Sequence, residues 1–156
     1  MIKIEIPGTG TSQFKHLVLD VNGTIAKDGQ LIDGVAELLK QLSAKLDIHM
    51  ITADTHGKQV AIDRLLGFEA VRIPPHNQLK AKLDYIQRLG ADTVFAVGNG
   101  ANDAAMLEHA ALGVAVIGPE GAAVETLLKA KVVVPYIRAA LELLLFPKRL
   151  AATLRR

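Results

Sequence analysis

Short unbroken apolar runs alternate along this chain with longer stretches in which apolar residues recur every three or four positions. The unbroken runs are Leu17–Leu19, Ile48–Thr52, Ala70–Ile73, Thr93–Val97, Gly113–Ile117 and Val132–Val134. Their length and continuity suit strands buried on both faces, as in a parallel sheet. The periodic stretches predict helices. One runs from an Asp33 cap to about Leu46, with Val35, Leu38, Leu39 and Leu42 on one face. Others cover Lys58–Leu66 and Leu79–Leu89, stopped by Gly67 and Gly90, then Ala104–Ala110, Gly121–Lys129 and Tyr136–Phe146. Residues 2–6 alternate like a half-exposed strand, Pro7–Thr11 reads as a turn, and Asp28-Gly29 within Ile25–Ile32 signals a hairpin above the end of the Leu17–Leu19 strand. Strand and helix alternate throughout, which predicts one α/β domain over residues 1–156: a three-layer, Rossmann-like parallel sheet with right-handed crossovers.

Composition narrows the partners. At 156 residues, 50% hydrophobic and 22% charged, the chain can bury a sizeable core. Its formal charge is only +2, with basic residues gathered in Lys148–Arg156, which reads as a solvated helix end. With two tyrosines, four phenylalanines, no tryptophan and no recognisable reading motif, nucleic acid is not expected as a partner. The absence of cysteine removes disulfides, thiolate metal sites and cysteine nucleophiles. No run is long enough for a signal peptide or a membrane span, so the expected location is the cytoplasm. The glycines of Pro7–Thr11 precede the first buried strand, and only Gly23 follows it closely. Neither arrangement suits a phosphate loop or a dinucleotide fingerprint.

Candidate chemistry collects at strand ends. Leu17-Val18-Leu19 delivers Asp20 to the carboxyl end of a buried strand, where ligands of open α/β sheets gather. A carboxylate there can act as a metal ligand, a general base or a nucleophile. Two further strand ends carry polar residues, Thr52 to Asp54 and Gly98 to Asp103, and Lys82 sits near a helix start between them. Asp20 and Asp103 offer hard oxygen ligands that suit Mg²⁺. Thr52 adds a hydroxyl and Lys82 a point positive charge; Lys82 fits the helix spacing to Ile86 and Leu89 better than Lys80 does. This is an inventory for phosphoryl transfer. Thr52 could instead cap the turn after its strand. Asp54 is read as a cap for the Lys58 helix, and His56, the one histidine near the crevice, as a solvated or core residue.

The segments LDVNGT, MITAD, Lys82 and VGNGAND resemble, in order and spacing, the four motifs of the haloacid-dehalogenase superfamily of phosphohydrolases. Ile51–Asp54, the Lys82–Ile86–Leu89 spacing and Gly98–Asp103 followed by Ala104-Ala105-Met106-Leu107 are most similar to the phosphorylation domain of P-type ATPases. The resemblance implies that Asp20 is a nucleophile forming an aspartyl-phosphate. It implies that Thr52 hydrogen-bonds the transferring phosphoryl group, with Ala53 and Asn102 also at the substrate, and that Lys82 neutralises charge. It further implies that Mg²⁺ is held by Asp20, Asp103, the backbone carbonyl of Asn22 and the Asn99 side chain. Residues 25–32 would form the family's flap hairpin.

Two positions depart from the pattern. Asn22 stands where phosphatases of the superfamily usually have the Asp that protonates the leaving group and activates water, assistance worth roughly 10²–10⁴-fold. Asn99 stands where an Asp usually helps fix the metal. At about 4 Å and an effective dielectric of about 20, one charge pair is worth on the order of 4 kcal/mol before hydration is counted. Both amides precede glycine and are prone to deamidate, so an aged sample could gain Asp at either site. Only 31 residues separate Asp20 from Thr52, and 29 separate Thr52 from Lys82, too few for a cap domain. An open site favours a large substrate or a homo-oligomer, with apolar surface on Tyr136–Phe146 as a candidate interface. The expected function is a slow Mg²⁺-dependent phosphohydrolase with a phosphorylated substrate. The alternative is a non-catalytic module that binds phosphate and Mg²⁺.

Overall fold

A computed structural model describes residues 1–54 and 57–156. The expected helix–strand alternation is present. In chain order the elements are β1 (Ile2–Ile6), β2 (Gly10–Phe14), β3 (His16–Asp20), β4 (Ala26–Lys27), β5 (Gln30–Leu31), α1 (Val35–Ser43), β6 (Asp47–Thr52), α2 (Gln59–Leu66) and β7 (Val71–Arg72). There follow α3 (Gln78–Leu89), β8 (Val94–Gly98), α4 (Ala104–His109), β9 (Leu112–Val116), α5 (Val124–Lys129), β10 (Val132–Val134), α6 (Ile137–Leu145) and α7 (Pro147–Leu154).

Six strands form one parallel sheet in the order β10-β9-β8-β3-β6-β7. The first of them in sequence, β3, therefore lies beside the fourth, β8, and the strand order reverses between them. That reversal opens a crevice at the carboxyl ends of β3 and β8, the position where open α/β sheets bind ligands. Alternation along each central strand builds a core on either face. Leu17 and Leu19 of β3, Phe95 and Val97 of β8 and Val114 of β9 face the side covered by α1 and α6. Val18, Val94, Ala96 and Ala115 face α3 and α4, meeting Ile86, Met106 and Leu107. Burial of both faces explains why these strands read as unbroken apolar runs.

The hairpin appears as β4–β5, turning through Asp28 (φ 52°) and Gly29 (φ 76°), as a two-residue primed turn requires. Several boundaries differ from expectation. Gly10–Phe14 is a strand, antiparallel to β1, where the sequence suggested the end of a turn. Helix α1 begins at Val35 without a side-chain cap from Asp33, because the hairpin returns Ile32 to the spot. The Ile32 N–H donates to Ile25 O at 2.9 Å, and the Val35 N–H to Ile32 O at 3.2 Å. The helix ends at Ser43, whose hydroxyl donates to Lys40 O at 2.8 Å, short of Leu46. Helix α5 starts three residues later than expected, since Ala123 is held extended by its N–H donating to Asn99 O at 2.9 Å. The basic tail forms α7 and buries Leu150 against the layer that carries β1. Most of the apolar face of α6 is spent in the core, through Ile137, Ala140, Leu141 and Leu144; Tyr136 and Phe146 are exposed at its ends. No helix of the described residues is long and apolar enough to cross a membrane.

Candidate active site

The ends of β3, β6 and β8 converge on a cleft of about 190 Å³ lined by Asp20, Asn22, Thr52, Ala53, Gln78, Asn99, Gly100, Asn102 and Glu120. A larger hollow of about 630 Å³ lies between α2 and β7, but its buried acid, Asp63, is saturated by Gln59, Ala70 and Arg72. Chemistry needs a group with a free face, so the smaller cleft is the candidate.

Asp20 ends β3 and is almost fully buried. Lys82 Nζ lies 2.6 Å from Asp20 Oδ1 and 2.6 Å from Asp103 Oδ1, bridging the two carboxylates beneath the cleft. Lys82 reaches this point because α3 turns one face inward, burying Lys82 and Ile86 together. Lys80 points outward and pairs with Asp84. The remaining Asp103 oxygen, Oδ2, accepts the Asn99 and Gly100 N–H groups at 3.0 Å each. Gly98 makes this possible: a Cβ there would stand 2.4 Å from Asp103 Cγ. Both Asp103 oxygens are thus occupied. The residue lies under the cleft and does not line it.

The electrostatics follow from this sharing of one cation by two acids. Burial, and then the neighbouring Asp103 charge, push the Asp20 carboxyl up to about 6, against the pull of Lys82 and the Thr24 hydroxyl. Burial alone would depress Lys82, but the Asp20 and Asp103 carboxylates overcome it and hold the ammonium well above its ordinary range. Lys82 is therefore a fixed positive charge, and Asp20 is a carboxylate whose charge is only partly compensated.

Thr52 is buried at the end of β6, and its hydroxyl accepts the Asp54 N–H at 2.9 Å, leaving its own proton to donate. Thr52 thus makes the turn contact allowed for it and still faces the cleft. Asp54 accepts the Gln59 N–H at 3.3 Å at the start of α2, in keeping with the capping role. Asn22, Ala53, Asn99 and Asn102 also line the cleft. His56 lies outside the described residues.

Three residues at the site were not singled out from sequence. Thr24 donates to Asp20 Oδ2 at 3.0 Å and lies 3.2 Å from Asn99 Oδ1, tying the first and last strand ends together. Gln78, one helical turn before Lys82 on the same face of α3, accepts from Asn102 Nδ2 at 2.6 Å. Glu120 enters from the loop after β9. The signal for Glu120 was its place just beyond the end of a buried parallel strand, the same signal that marked Asp20. The hairpin, expected over the strand end, contributes no lining residue to the cleft among the described residues.

A divalent cation fits the chemistry of the donors at this cleft, which are hard oxygens: the Asp20 carboxylate and amide or backbone carbonyls of Asn22 and Asn99. Among the described residues, no three carboxylate or imidazole side chains cluster closely enough to hold a metal unaided. Neutral oxygens would have to complete any shell.

Residues 5–111 match the family described as haloacid dehalogenase-like hydrolase. The uncharacterised protein MJ0073 of Methanocaldococcus jannaschii is 44% identical over 79 residues, covering 48% of this chain and 85% of that protein. Among solved structures, the cobalt-bound deoxy-D-mannose-octulosonate 8-phosphate phosphatase of Haemophilus influenzae superposes with a TM-score of 0.68 at 17% identity, over 90% of this chain and 92% of that one. The 3-deoxy-D-manno-octulosonate 8-phosphate phosphatase of Moraxella catarrhalis, in complex with a magnesium ion, a phosphate ion and KDO, gives 0.64 at 20% identity, over 89% and 92%. At these identities the two structures establish a shared fold.

Proposed function

Because the chain belongs to the haloacid dehalogenase-like hydrolases, we propose that it hydrolyses phosphomonoesters through an aspartyl-phosphate on Asp20. The observation that carries this reading is the Lys82 bridge. It fixes a partly compensated carboxylate at the floor of a small polar cleft opposite a free hydroxyl proton. An Asp20 oxygen bonds to phosphorus as the bond from phosphorus to the leaving alcohol breaks. Water then attacks the phosphorus of the aspartyl-phosphate, releasing inorganic phosphate and restoring the carboxylate. Lys82 balances charge shared between Asp20 and the phosphoryl oxygens. The Thr52 hydroxyl, the Ala53 N–H and Asn102 hydrogen-bond the phosphoryl group. Asp103 acts as a positioning residue, holding Lys82 from below. Mg²⁺, held by Asp20, the Asn22 backbone carbonyl and the Asn99 side chain, would supply Lewis-acid neutralisation of the phosphoryl oxygens when bound.

Asn22 can neither protonate a leaving group nor activate water, so turnover is slow and favours esters of acidic alcohols. A long-lived acyl phosphate also accords with the likeness of Ile51–Asp54 and Gly98–Leu107 to the phosphorylation domain of P-type ATPases, which is part of this proposal. The test is hydrolysis of p-nitrophenyl phosphate with Mg²⁺, using protein whose intact mass shows Asn22 and Asn99 still as amides. Asp20→Asn abolishes hydrolysis, and Asn22→Asp raises it by roughly 10²–10⁴-fold. Full activity in Asp20→Asn contradicts the nucleophile assignment.

The paired amides at 22 and 99 favour a second reading, a module that binds phosphate and metal without turnover. Tight, metal-dependent binding of a fluoride phosphate mimic with no measurable hydrolysis would select it.

A further inference from the structure

Asn99 does something that an aspartate at its position could not do. Its Nδ2 donates to Gly121 O at 3.0 Å, while its backbone carbonyl accepts the Ala123 N–H at 2.9 Å. One residue at the end of β8 thereby fastens the Gly118–Ala123 loop to the strand ends. The other end of that loop is fastened too: the Ile117 N–H donates to Val134 O and the Gly118 N–H to Pro135 O, each at 3.0 Å. The residue that this double attachment presents to the cleft is Glu120.

Where Glu120 points is marked by Gly23. A Cβ on Gly23 would stand 2.5 Å from Glu120 Oε2 and 2.7 Å from Asn99 Nδ2, and the residue has a φ of +81°. The glutamate carboxylate and the Asn99 amide thus converge on the same spot beside the turn that follows Asp20. Among the described residues Glu120 forms no ion pair. Asp103 is committed to Lys82 and two backbone N–H groups, so among the described residues only Asp20 and Glu120 bring carboxylates to the lining of the cleft.

We propose that Glu120 supplies, from the loop after β9, the negative charge that Asn99 does not supply at the divalent-cation position beside Asp20. The charge has moved from a strand end to the following loop, and the amide that replaced it holds the new carboxylate in place. An aspartate at 99 would lose the donor to Gly121 O and set a second negative charge against Glu120. The two positions form an exchange unit. This inference rests on the phosphohydrolase reading and on the metal fit argued above, and it adds a residue to that site.

The test is binding of Mn²⁺ to the full chain, followed by electron paramagnetic resonance and independent of turnover. Glu120 is exposed, so its replacement leaves the core intact. Glu120→Gln weakens Mn²⁺ binding by roughly tenfold or more, the order expected for one partly screened charge near a divalent ion. Adding Asn99→Asp to Glu120→Gln restores at least part of the loss, because the charge returns to the strand end. Wild-type affinity in Glu120→Gln, when Asp20→Asn has lost binding, overturns the role of Glu120 and leaves the cation site standing. No Mn²⁺ binding by the wild type, or binding that survives Asp20→Asn, contradicts the metal reading of the cleft and this inference with it.

Discussion

Two buried aspartates in this molecule have opposite characters. Asp63, between α2 and β7, accepts from Gln59 Nε2 at 2.8 Å, from the Ala70 N–H at 3.1 Å and from Arg72 Nη1 at 2.7 Å. Burial pushes its carboxyl upward, but these hydrogen bonds and the Arg72 charge outweigh that and hold it below the usual range. Asp20 is set deeper, and burial, followed by the neighbouring Asp103 charge, pushes it up to about 6 against the pull of the Lys82 ammonium it shares with Asp103 and of the Thr24 hydroxyl. A saturated acid with its own cation is a fastening. An acid that shares its only cation with a second carboxylate keeps part of its charge uncompensated, and a metal ion or an electrophile at the cleft would take up that remainder. Pocket size alone points the wrong way, since the larger hollow surrounds Asp63.

This contrast breaks first at Lys82. Lys82→Met leaves two buried carboxylates without their cation, and removing one member of a buried ion pair costs about 3–5 kcal/mol. Urea unfolding of the variant therefore shows a loss of that order, together with phosphatase activity at background. Activity near the wild-type level in Lys82→Met would dissolve the distinction, for the bridge would then be structural like its counterpart at Asp63.

A smaller effect belongs to Asp63. Asp63→Asn weakens the charged hydrogen bonds to Arg72, Gln59 and Ala70 and costs about 2 kcal/mol, while specific activity on an aryl phosphate is unchanged. The same variant carries a signature in pH. Because the folded Asp63 carboxyl lies below its unfolded value, its stabilisation is complete above the unfolded pKa of about 3.9. It fades as pH falls through the depressed folded value. The melting temperatures of wild type and Asp63→Asn therefore differ at pH 7 and approach each other toward pH 3. A gap that persists undiminished at pH 3 would show that the carboxylate charge contributes nothing there.

The sequence carried the site unevenly. Asp20, Thr52 and Gly98–Asp103 were legible because buried parallel strands read as unbroken apolar runs, and the residue at which a run stops is placed by the sheet. Lys82 was legible from its helical spacing to Ile86 and Leu89. The role of Asp103 was not: its type and position suited a metal ligand, whereas the folded chain turns both oxygens to Lys82 and backbone N–H groups. Hydrogen bonds between strand ends far apart in sequence hid Thr24, and a loop tied across β8 and β9 hid Glu120. The missing Asp33 cap has a similar cause, since the hairpin satisfies the first α1 amide through Ile32 O. Gly10–Phe14 has little strand propensity of its own and is a strand because β1 provides a partner in register.

The proposed reaction requires Asp20 to act as the nucleophile, and trapping the aspartyl-phosphate tests that requirement most directly. Protein incubated with p-nitrophenyl phosphate and Mg²⁺, quenched in acid and digested, is predicted to yield a phosphorylated, hydroxylamine-sensitive peptide that spans Asp20. Continued hydrolysis of the substrate with no phosphoryl group on that peptide at any quench time would contradict it.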